Sequence, residues 1–188
     1  MIGLIPKMLV DLVTARAGPE AAAAVRARAG VAPDEPFRIG EVYPDATWQA
    51  LYAAAQETLG VSREDAERAF ARWFYEDAVK RWPTWFAMSR NAREFLERQP
   101  VIHNCFATAL HDPDARAAVV EKFRLERLSD GFVMHYRSPN RHCVLYEALA
   151  QEILHHYGEV ARVEQRRCVF RGDDACEIVL RWPGDAGE

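Results

Sequence analysis

The chain has 188 residues, of which 49% are hydrophobic and 28% are charged, and its formal net charge is −4 at pH 7. These values are typical of a globular protein with one sizeable core, and no apolar run approaches the ~20 residues that a membrane-spanning helix requires. The acidic balance without a basic stripe argues against nucleic acid as a partner, and the first residues lack the pattern of a signal peptide, so we expect a cytoplasmic protein.

Helical spacing of apolar residues dominates the first two thirds of the sequence. Gly18 and Pro19 are expected to separate a first helix, which begins near Leu4, from an alanine-rich second helix. Asp45 or Thr47 is expected to cap the next helix with its side-chain oxygen. The chain therefore begins with consecutive helices.

Capping and proline signals continue this helical pattern. Ser62 predicts the start of another helix, and Pro83 and Pro100 are expected to bound two shorter ones. The segment over residues 101–110 then follows as a separate piece that carries His103.

The spacing of apolar residues changes from 3.6 to 2 near residue 122, which indicates strands. The pattern predicts two antiparallel strand pairs with one long helix between them. The expected strands are residues 123–127, 132–136, 160–170 and 176–182, and the helix covers residues 141–157. An α+β fold follows, with a helical N-terminal two thirds packed with a C-terminal antiparallel sheet of about four strands. We expect a single domain over residues 1–183 and a short tail over residues 184–188.

His103 is a polar residue on an apolar helical face. Its neighbours at helical spacing are Phe106, Ala107 and Leu110, so the imidazole is expected to point into a dry interior. There it is either a core histidine with satisfied hydrogen bonds or a metal ligand. Cys105 is also expected to lie in the core.

Four segments, in their order and spacing, resemble the H-NOX family of haem nitric-oxide/oxygen-binding domains. They are Met1 to Ile5, Tyr43 to Asp45 followed by Trp48 and Leu51, Phe70 to Phe74, and Phe95 to Leu96 ahead of Val101 to His103. The resemblance spans nearly the whole chain and agrees with the predicted order of helices and strands. It implies a haem-based gas sensor without enzymatic activity.

The resemblance also implies a role for His103 as the protein ligand of a b-type haem iron. In this family a Tyr-x-Ser-x-Arg motif binds the haem propionates, and Tyr136 and Ser138 match its first two positions. Residues two apart in an extended segment point to one side, so both side chains can reach one ligand edge.

The third position of this motif departs from the family pattern, because Asn140 stands where the arginine is expected and Arg141 comes one residue later. A one-residue bulge at Pro139 is expected to let Arg141 reach the propionates. The alternatives are that Arg137 replaces it or that haem binds weakly.

The wall of the haem pocket is implied by the same resemblance. Its expected members are Leu4, Ile5, Leu9, Phe74 and Leu145. Tyr146 decides whether a hydroxyl group can hydrogen-bond oxygen there. We expect the stripe of Leu145, Leu149 and Ile153 to face the core and Tyr146 to lie off it, which favours nitric oxide over oxygen as the bound gas.

Three cysteines connect the last helix with the final strand pair. Some H-NOX proteins carry a structural zinc on three cysteines at spacings similar to those of Cys143, Cys168 and Cys176, together with a histidine where this chain has Gln165. Zinc takes four thiolate or imidazole ligands, so His142 is the candidate fourth ligand. The alternative is that the cysteines are buried thiols without a metal.

Two functions remain open from the sequence. The first is a nitric oxide sensor that signals in trans to a histidine kinase or a cyclic-dinucleotide enzyme, because no output domain follows in the sequence. The second is a haem-free small-ligand-binding or interaction module of the vinyl-reductase type with a structural zinc site, since the cysteine hairpin also resembles that domain. In the second function His103 is a core residue.

Overall fold

The computed structural model describes residues 1–108, 110 and 113–184, and this part of the chain forms helices followed by a four-stranded antiparallel sheet. The helices are α1 Leu4–Arg28, α2 Asp45–Leu59, α3 Arg63–Arg81, α4 Pro83–Ala87, α5 Ala92–Cys105, α6 Pro113–Val120 and α7 Cys143–Tyr157. The strands are β1 Phe123–Leu128, β2 Gly131–Tyr136, β3 Arg162–Arg167 and β4 Cys176–Arg181. The predicted α+β fold with four antiparallel strands is confirmed.

The chain divides into two compact units, Met1–Trp73 and Phe74–Glu188. The first unit is helical, and the second contains the sheet together with α4 to α7. Within the described residues, no helix has the length and apolar character that crossing a membrane demands. The expected tail lies outside the described residues except for Gly184.

In the first unit, the break predicted in the first helix is present. Gly18 has a left-handed φ of 86° inside α1, so the helical path is interrupted there. The predicted cap of α2 is wrong, because Pro44 occupies the capping position and no side chain caps it. Asp45 instead accepts a hydrogen bond of 3.0 Å from the amino group of Met1.

The helix boundaries near α3 and α5 test two further predictions. The Ser62 hydroxyl accepts a hydrogen bond of 3.1 Å from the backbone N–H of Asp65, which confirms the predicted start of α3. The boundary predicted at Pro100 is wrong, because α5 continues through this proline to Cys105. A proline removes one helical hydrogen bond, and the tertiary packing of α5 outweighs that loss. His103 therefore lies in the last turn of α5.

The sheet has the strand order β1-β2-β4-β3, and all neighbouring strands are antiparallel. The predicted hairpin of β1 and β2 is confirmed, and its register pairs Phe123 with Tyr136. Tyr136 also pairs with Cys176 on β4, so β2 lies between the two strands that contribute to the sites below. The strand expected over residues 160–170 is shorter, because its pairing is irregular between Gln165 and Arg167 and a helical turn follows.

The buried face of α7 differs from the predicted stripe. Tyr146, Ala150 and Ile153 are buried, whereas Leu145 and Leu149 are only partly buried. The prediction that Tyr146 lies off the core face is therefore wrong. The predicted stripe that begins at Leu145 and the observed stripe that begins at Tyr146 differ by one residue along the helix. Hydrophobicity alone favours the leucines, because it gives no weight to how an aromatic ring packs.

Candidate functional site

His103 has an imidazole nitrogen that is buried and unsatisfied. Its Nδ1 atom has no hydrogen-bond partner among the described residues. Burial lowers the pKa of His103 to about 4, and the positive charge of Lys122 adds to this effect, while the side chain of Asn104 opposes it. The imidazole is therefore neutral at pH 7. An unsatisfied buried nitrogen is costly for a core histidine, whereas a neutral imidazole is the form that binds a metal.

The His103 ring belongs to a cluster of four rings centred on Phe123. The Phe123 and His103 ring centroids are 4.8 Å apart with the planes at 73°, an edge-to-face contact. Phe123 also stacks on Tyr136 at 5.0 Å and lies 5.7 Å from Tyr146. We call these four residues the Phe123 cluster. Sequence reasoning missed Phe123, although the hairpin register that pairs it with Tyr136 could have indicated it.

Tyr146 places a hydroxyl group in this apolar environment. The hydroxyl is buried and has no hydrogen-bond partner in the described part of the chain. Burial strongly raises the pKa of Tyr146, so the group stays neutral and keeps its proton for donation. The sequence argument for nitric oxide, which placed Tyr146 away from the core, therefore no longer holds.

The residues proposed to bind propionates lie at the end of β2 and in the turn that follows. The Tyr136 hydroxyl accepts a hydrogen bond of 3.1 Å from the backbone N–H of His142. The Ser138 hydroxyl accepts one of 3.3 Å from the N–H of Asn140. The Ser138 carbonyl oxygen accepts one of 3.1 Å from the N–H of Arg141, which closes a turn. The extra residue is thus accommodated by a turn, where the sequence led us to expect a bulge.

Arg141 has a left-handed φ of 53°, and its guanidinium carbon lies 6.0 Å from the centre of the Phe170 ring. Together with Arg137 and Ser138 it lines an open groove of about 700 Å³. The other lining residues are Ala118, Glu121, Pro139, Val169, Asp173 and Asp174. The groove carries charges of both signs, and its two arginines supply the charge-assisted donors that a carboxylate ligand requires.

The residues expected to wall the pocket belong to both units. Leu4 and Leu9 are buried and Ile5 is partly buried in the first unit. Phe74 and Leu145 are partly buried in the second, and Phe74 packs against the core of that unit. Their assignment to one pocket stays a prediction.

Three buried thiols converge in the second unit. The Sγ atoms of Cys143, Cys168 and Cys176 lie within 4.8 Å of one another, and those of Cys143 and Cys168 are 3.7 Å apart. Sulfur atoms on a tetrahedral zinc are about 3.8 Å apart, given a Zn–S bond of about 2.3 Å. Burial raises the pKa of Cys143 to about 12 and also raises that of Cys176, so these two thiols are protonated without a metal. The spacing suits a metal ion.

The fourth ligand expected from the sequence is not part of this thiol cluster. His142 is buried, but among the described residues the group able to hold a metal consists of the three cysteines alone. Gln165 faces the thiol of Cys143 and opposes the rise in its pKa. Cys105, which we expected in the core, is exposed, so that prediction is wrong. It is the last residue of α5 and lies four residues after the exposed Val101, on the same outward face of the helix.

Comparisons with known proteins agree on one family. The sequence profile described as haem-NO-binding matches residues 2–165. No curated protein shows significant similarity to the chain.

Solved structures show the same fold. An H-NOX protein from S. oneidensis in the Fe(II)NO ligation state has 18% identity and a TM-score of 0.80, covering 96% of this chain and 98% of its own. An oxygen-binding H-NOX domain related to soluble guanylate cyclases has 17% identity and a TM-score of 0.77, covering 100% and 98%. An I5F mutant of T. tengcongensis H-NOX has 16% identity and a TM-score of 0.77, covering both chains completely. At such identities the similarity establishes the fold.

Proposed function

The chain belongs to the haem-NO-binding family of gas sensors, and on that premise we propose that it is a non-enzymatic nitric oxide sensor that binds b-type haem through His103. The observation that carries the proposal is the buried, neutral imidazole at the end of α5, with its Nδ1 atom unsatisfied. Bound haem supplies an iron atom that coordinates a diatomic gas.

His103 provides the iron ligand, and its surroundings keep it suitable for that role. Because burial lowers its pKa to about 4, no proton competes with the metal for the nitrogen at neutral pH. The apolar Phe123 ring on one side excludes water from the imidazole. These features keep the imidazole in the neutral form that can coordinate iron at neutral pH.

Tyr136, Ser138 and Arg141 are proposed to hold the propionates, with Arg137 as the alternative cation. Ser138 and both arginines line the same groove, where the donors of a carboxylate site would stand beside the carboxylates of Glu121, Asp173 and Asp174. A hydroxyl group and a guanidinium group donate hydrogen bonds that offset the desolvation of a carboxylate.

The choice of gas depends on Tyr146. Leu4, Ile5, Leu9, Phe74 and Leu145 are proposed to form the apolar wall. We propose nitric oxide because the family profile is described as haem-NO-binding. The unsatisfied Tyr146 hydroxyl is the group that could stabilise oxygen, so oxygen binding that persists in wild type and is lost in Tyr146→Phe would contradict this choice.

Haem reconstitution tests the proposal. The purified protein is expected to gain a Soret absorption band when haem is added, and His103→Ala is expected to lose it. His135→Ala is the matched control, since this half-buried histidine on β2 pairs with Glu126 on the sheet. A wild-type protein that stays colourless with haem would contradict the proposal and favour the haem-free, vinyl-reductase-type alternative.

A structural zinc ion on Cys143, Cys168 and Cys176 is the second part of the proposal. The convergence of three buried thiols supports it, and the fourth ligand is His142 after a rotation of its side chain, or an external group. Metal analysis of Cys168→Ser is expected to show loss of zinc, while Cys105→Ser, which alters an exposed thiol, retains it. Equal zinc content in both variants would rule out this ligand set.

The partner is proposed to be a separate cytoplasmic signalling protein, either a histidine kinase or a cyclic-dinucleotide enzyme. The kind of partner follows from the family resemblance, and the position of His103 in the last turn of α5 is compatible with a signal that passes through the end of this helix. Partner activity is expected to change on addition of nitric oxide with wild type and not with His103→Ala.

A further inference from the structure

Phe123 is the point at which three other rings of the second unit meet. It is the first residue of β1, and its ring contacts those of His103, Tyr136 and Tyr146. Two of these are a proposed iron ligand and a proposed propionate donor, and the third carries the unsatisfied hydroxyl. In the proposed function the Phe123 ring excludes water from the imidazole, but no residue has the role of orienting the imidazole ring.

A ligating histidine usually has its ring oriented by a hydrogen bond from its second nitrogen to a carbonyl or carboxylate oxygen. The Nδ1 atom of His103 has no such partner among the described residues. Either this nitrogen binds the iron itself or it stays unpaired, and in both cases no hydrogen bond at Nδ1 fixes the ring. The edge-to-face contact with Phe123 is then the aromatic contact of the described residues that can restrict the orientation of the ring.

We propose that Phe123 is a positioning residue for His103. The Phe123 ring fixes the imidazole through an edge-to-face contact and links it to Tyr136 on the neighbouring strand β2. The centroid distance of 4.8 Å and the interplanar angle of 73° are those of a favourable aromatic pair. The stacked contact with Tyr136 holds Phe123 from its other side. This inference rests on the proposed function, since it concerns the orientation of the proposed iron ligand.

The same contact connects α5 with β1. The two elements also meet at Arg127, which donates a hydrogen bond of 2.9 Å to Glu97 one and a half turns before His103. This second contact does not involve the ring. A movement of the imidazole is therefore expected to reach β1 at Phe123 and, through the register, Tyr136, while the Arg127 end stays in place.

The test compares Phe123→Leu with Phe132→Leu. Both substitutions shorten an aromatic residue in the β1–β2 hairpin, but Phe132 is fully buried on β2 and its recorded ring contact is with Trp182. In the haem-free protein, the imidazole NMR signals of His103 are expected to shift and broaden in Phe123→Leu and to stay unchanged in Phe132→Leu. Phe123→Tyr, which retains the ring, is expected to keep the wild-type signals.

With haem added, Phe123→Leu is expected to release it about tenfold faster than wild type, the lower end of the loss seen when the outer support of a metal ligand is removed. The iron–imidazole stretching band is expected to shift in Phe123→Leu alone. If Phe123→Leu does not fold, the same measurements are made on Phe123→Met, with the same expected results.

The outcomes separate this inference from the proposed function. A wild-type protein that binds no haem contradicts the proposed function, whatever Phe123 does. A wild-type protein that binds haem through His103, with unchanged imidazole signals and stretching band in Phe123→Leu, overturns the inference. Equal changes in Phe123→Leu and Phe132→Leu also overturn it, because they indicate general loosening of the hairpin.

Discussion

The three buried cysteines of the thiol cluster each lie at or beside the end of a helix or strand, whereas the His103 ring is a single side chain near the end of one helix. Cys143 begins α7, Cys176 begins β4, and Cys168 directly follows β3. His103 lies two residues before α5 ends, and a turn over residues 106–108 follows. The first site is assembled in advance by three elements, and the second is a single side chain whose neighbours are rings.

The opposite end of α5 is firmly attached, which sharpens this contrast. Asn91 caps the helix by accepting a hydrogen bond of 2.8 Å from the N–H of Glu94, and Glu159 accepts one of 3.1 Å from the N–H of Ala92. These contacts hold the start of α5, whereas the proposed iron ligand lies in its last turn. The thiol site suits a structural metal, whereas the His103 site suits the transmission of a conformational change.

The largest expected effect is from Gly131→Ala, which is predicted to damage both sites together. A Cβ atom at Gly131 would collide with the carbonyl oxygen of Leu180 on β4, so the pairing of β2 with β4 must shift. We expect a loss of about 3 kcal/mol or more in the free energy of unfolding. Urea unfolding measures this.

Gly40→Ala is the control for that variant, because a Cβ atom there meets no atom within 4 Å. It is expected to change stability by less than about 0.5 kcal/mol. A Gly131→Ala protein as stable as Gly40→Ala would contradict the tight β2–β4 packing on which both sites depend.

The next effect separates the two sites. His103→Ala is predicted to lower haem affinity more than about 100-fold, because it removes the proposed protein ligand of the iron, while the content of the proposed zinc stays the same. Haem titration and metal analysis of the same sample check both parts. Loss of zinc in His103→Ala would show that the sites are not independent.

The converse substitution is expected to have a smaller effect on stability. Cys168→Ser places a hydroxyl group in a buried position and is predicted to lower the free energy of unfolding by about 1–3 kcal/mol, with haem affinity unchanged. Thermal unfolding of the haem-free protein and haem titration test this. A reduced haem affinity would connect the thiol cluster with the His103 site.

The smallest effect concerns Tyr146. Because its buried hydroxyl has no hydrogen-bond partner in the described segments, Tyr146→Phe is predicted to leave the haem-free protein as stable as wild type or more stable by about 1 kcal/mol. Tyr157→Phe is the matched control, since the Tyr157 hydroxyl donates a hydrogen bond of 2.7 Å to the Phe86 carbonyl oxygen and its loss costs about 1 kcal/mol. Destabilisation of both variants by the same amount, measured in urea, would contradict the unsatisfied state of Tyr146.

Local signals predicted the parts of the fold that depend on neighbouring residues. Gly158 ends α7 in a left-handed conformation, and Ser62 caps α3, as their residue types indicate. The β1–β2 hairpin follows from alternation around a short turn. These features arise within a few residues of chain, so the sequence carries them directly.

The features that sequence reasoning missed depend on contacts between distant residues. Pro100 is a helix breaker by local rules, yet α5 continues through it. The buried face of α7 carries Tyr146, whose ring packs against Phe123, two elements away. The resemblance named His103, Tyr136 and the three cysteines, and only the folded structure shows that Phe123 joins the first two.

Replacement of the proposed iron ligand by a free one tests the central claim most directly. His103→Gly is reconstituted with haem in the absence and presence of imidazole, and the Soret band is recorded. The account predicts little binding without imidazole and recovery of a wild-type-like band with it. A His103→Gly protein that binds haem as tightly as wild type without imidazole would contradict the assignment of His103.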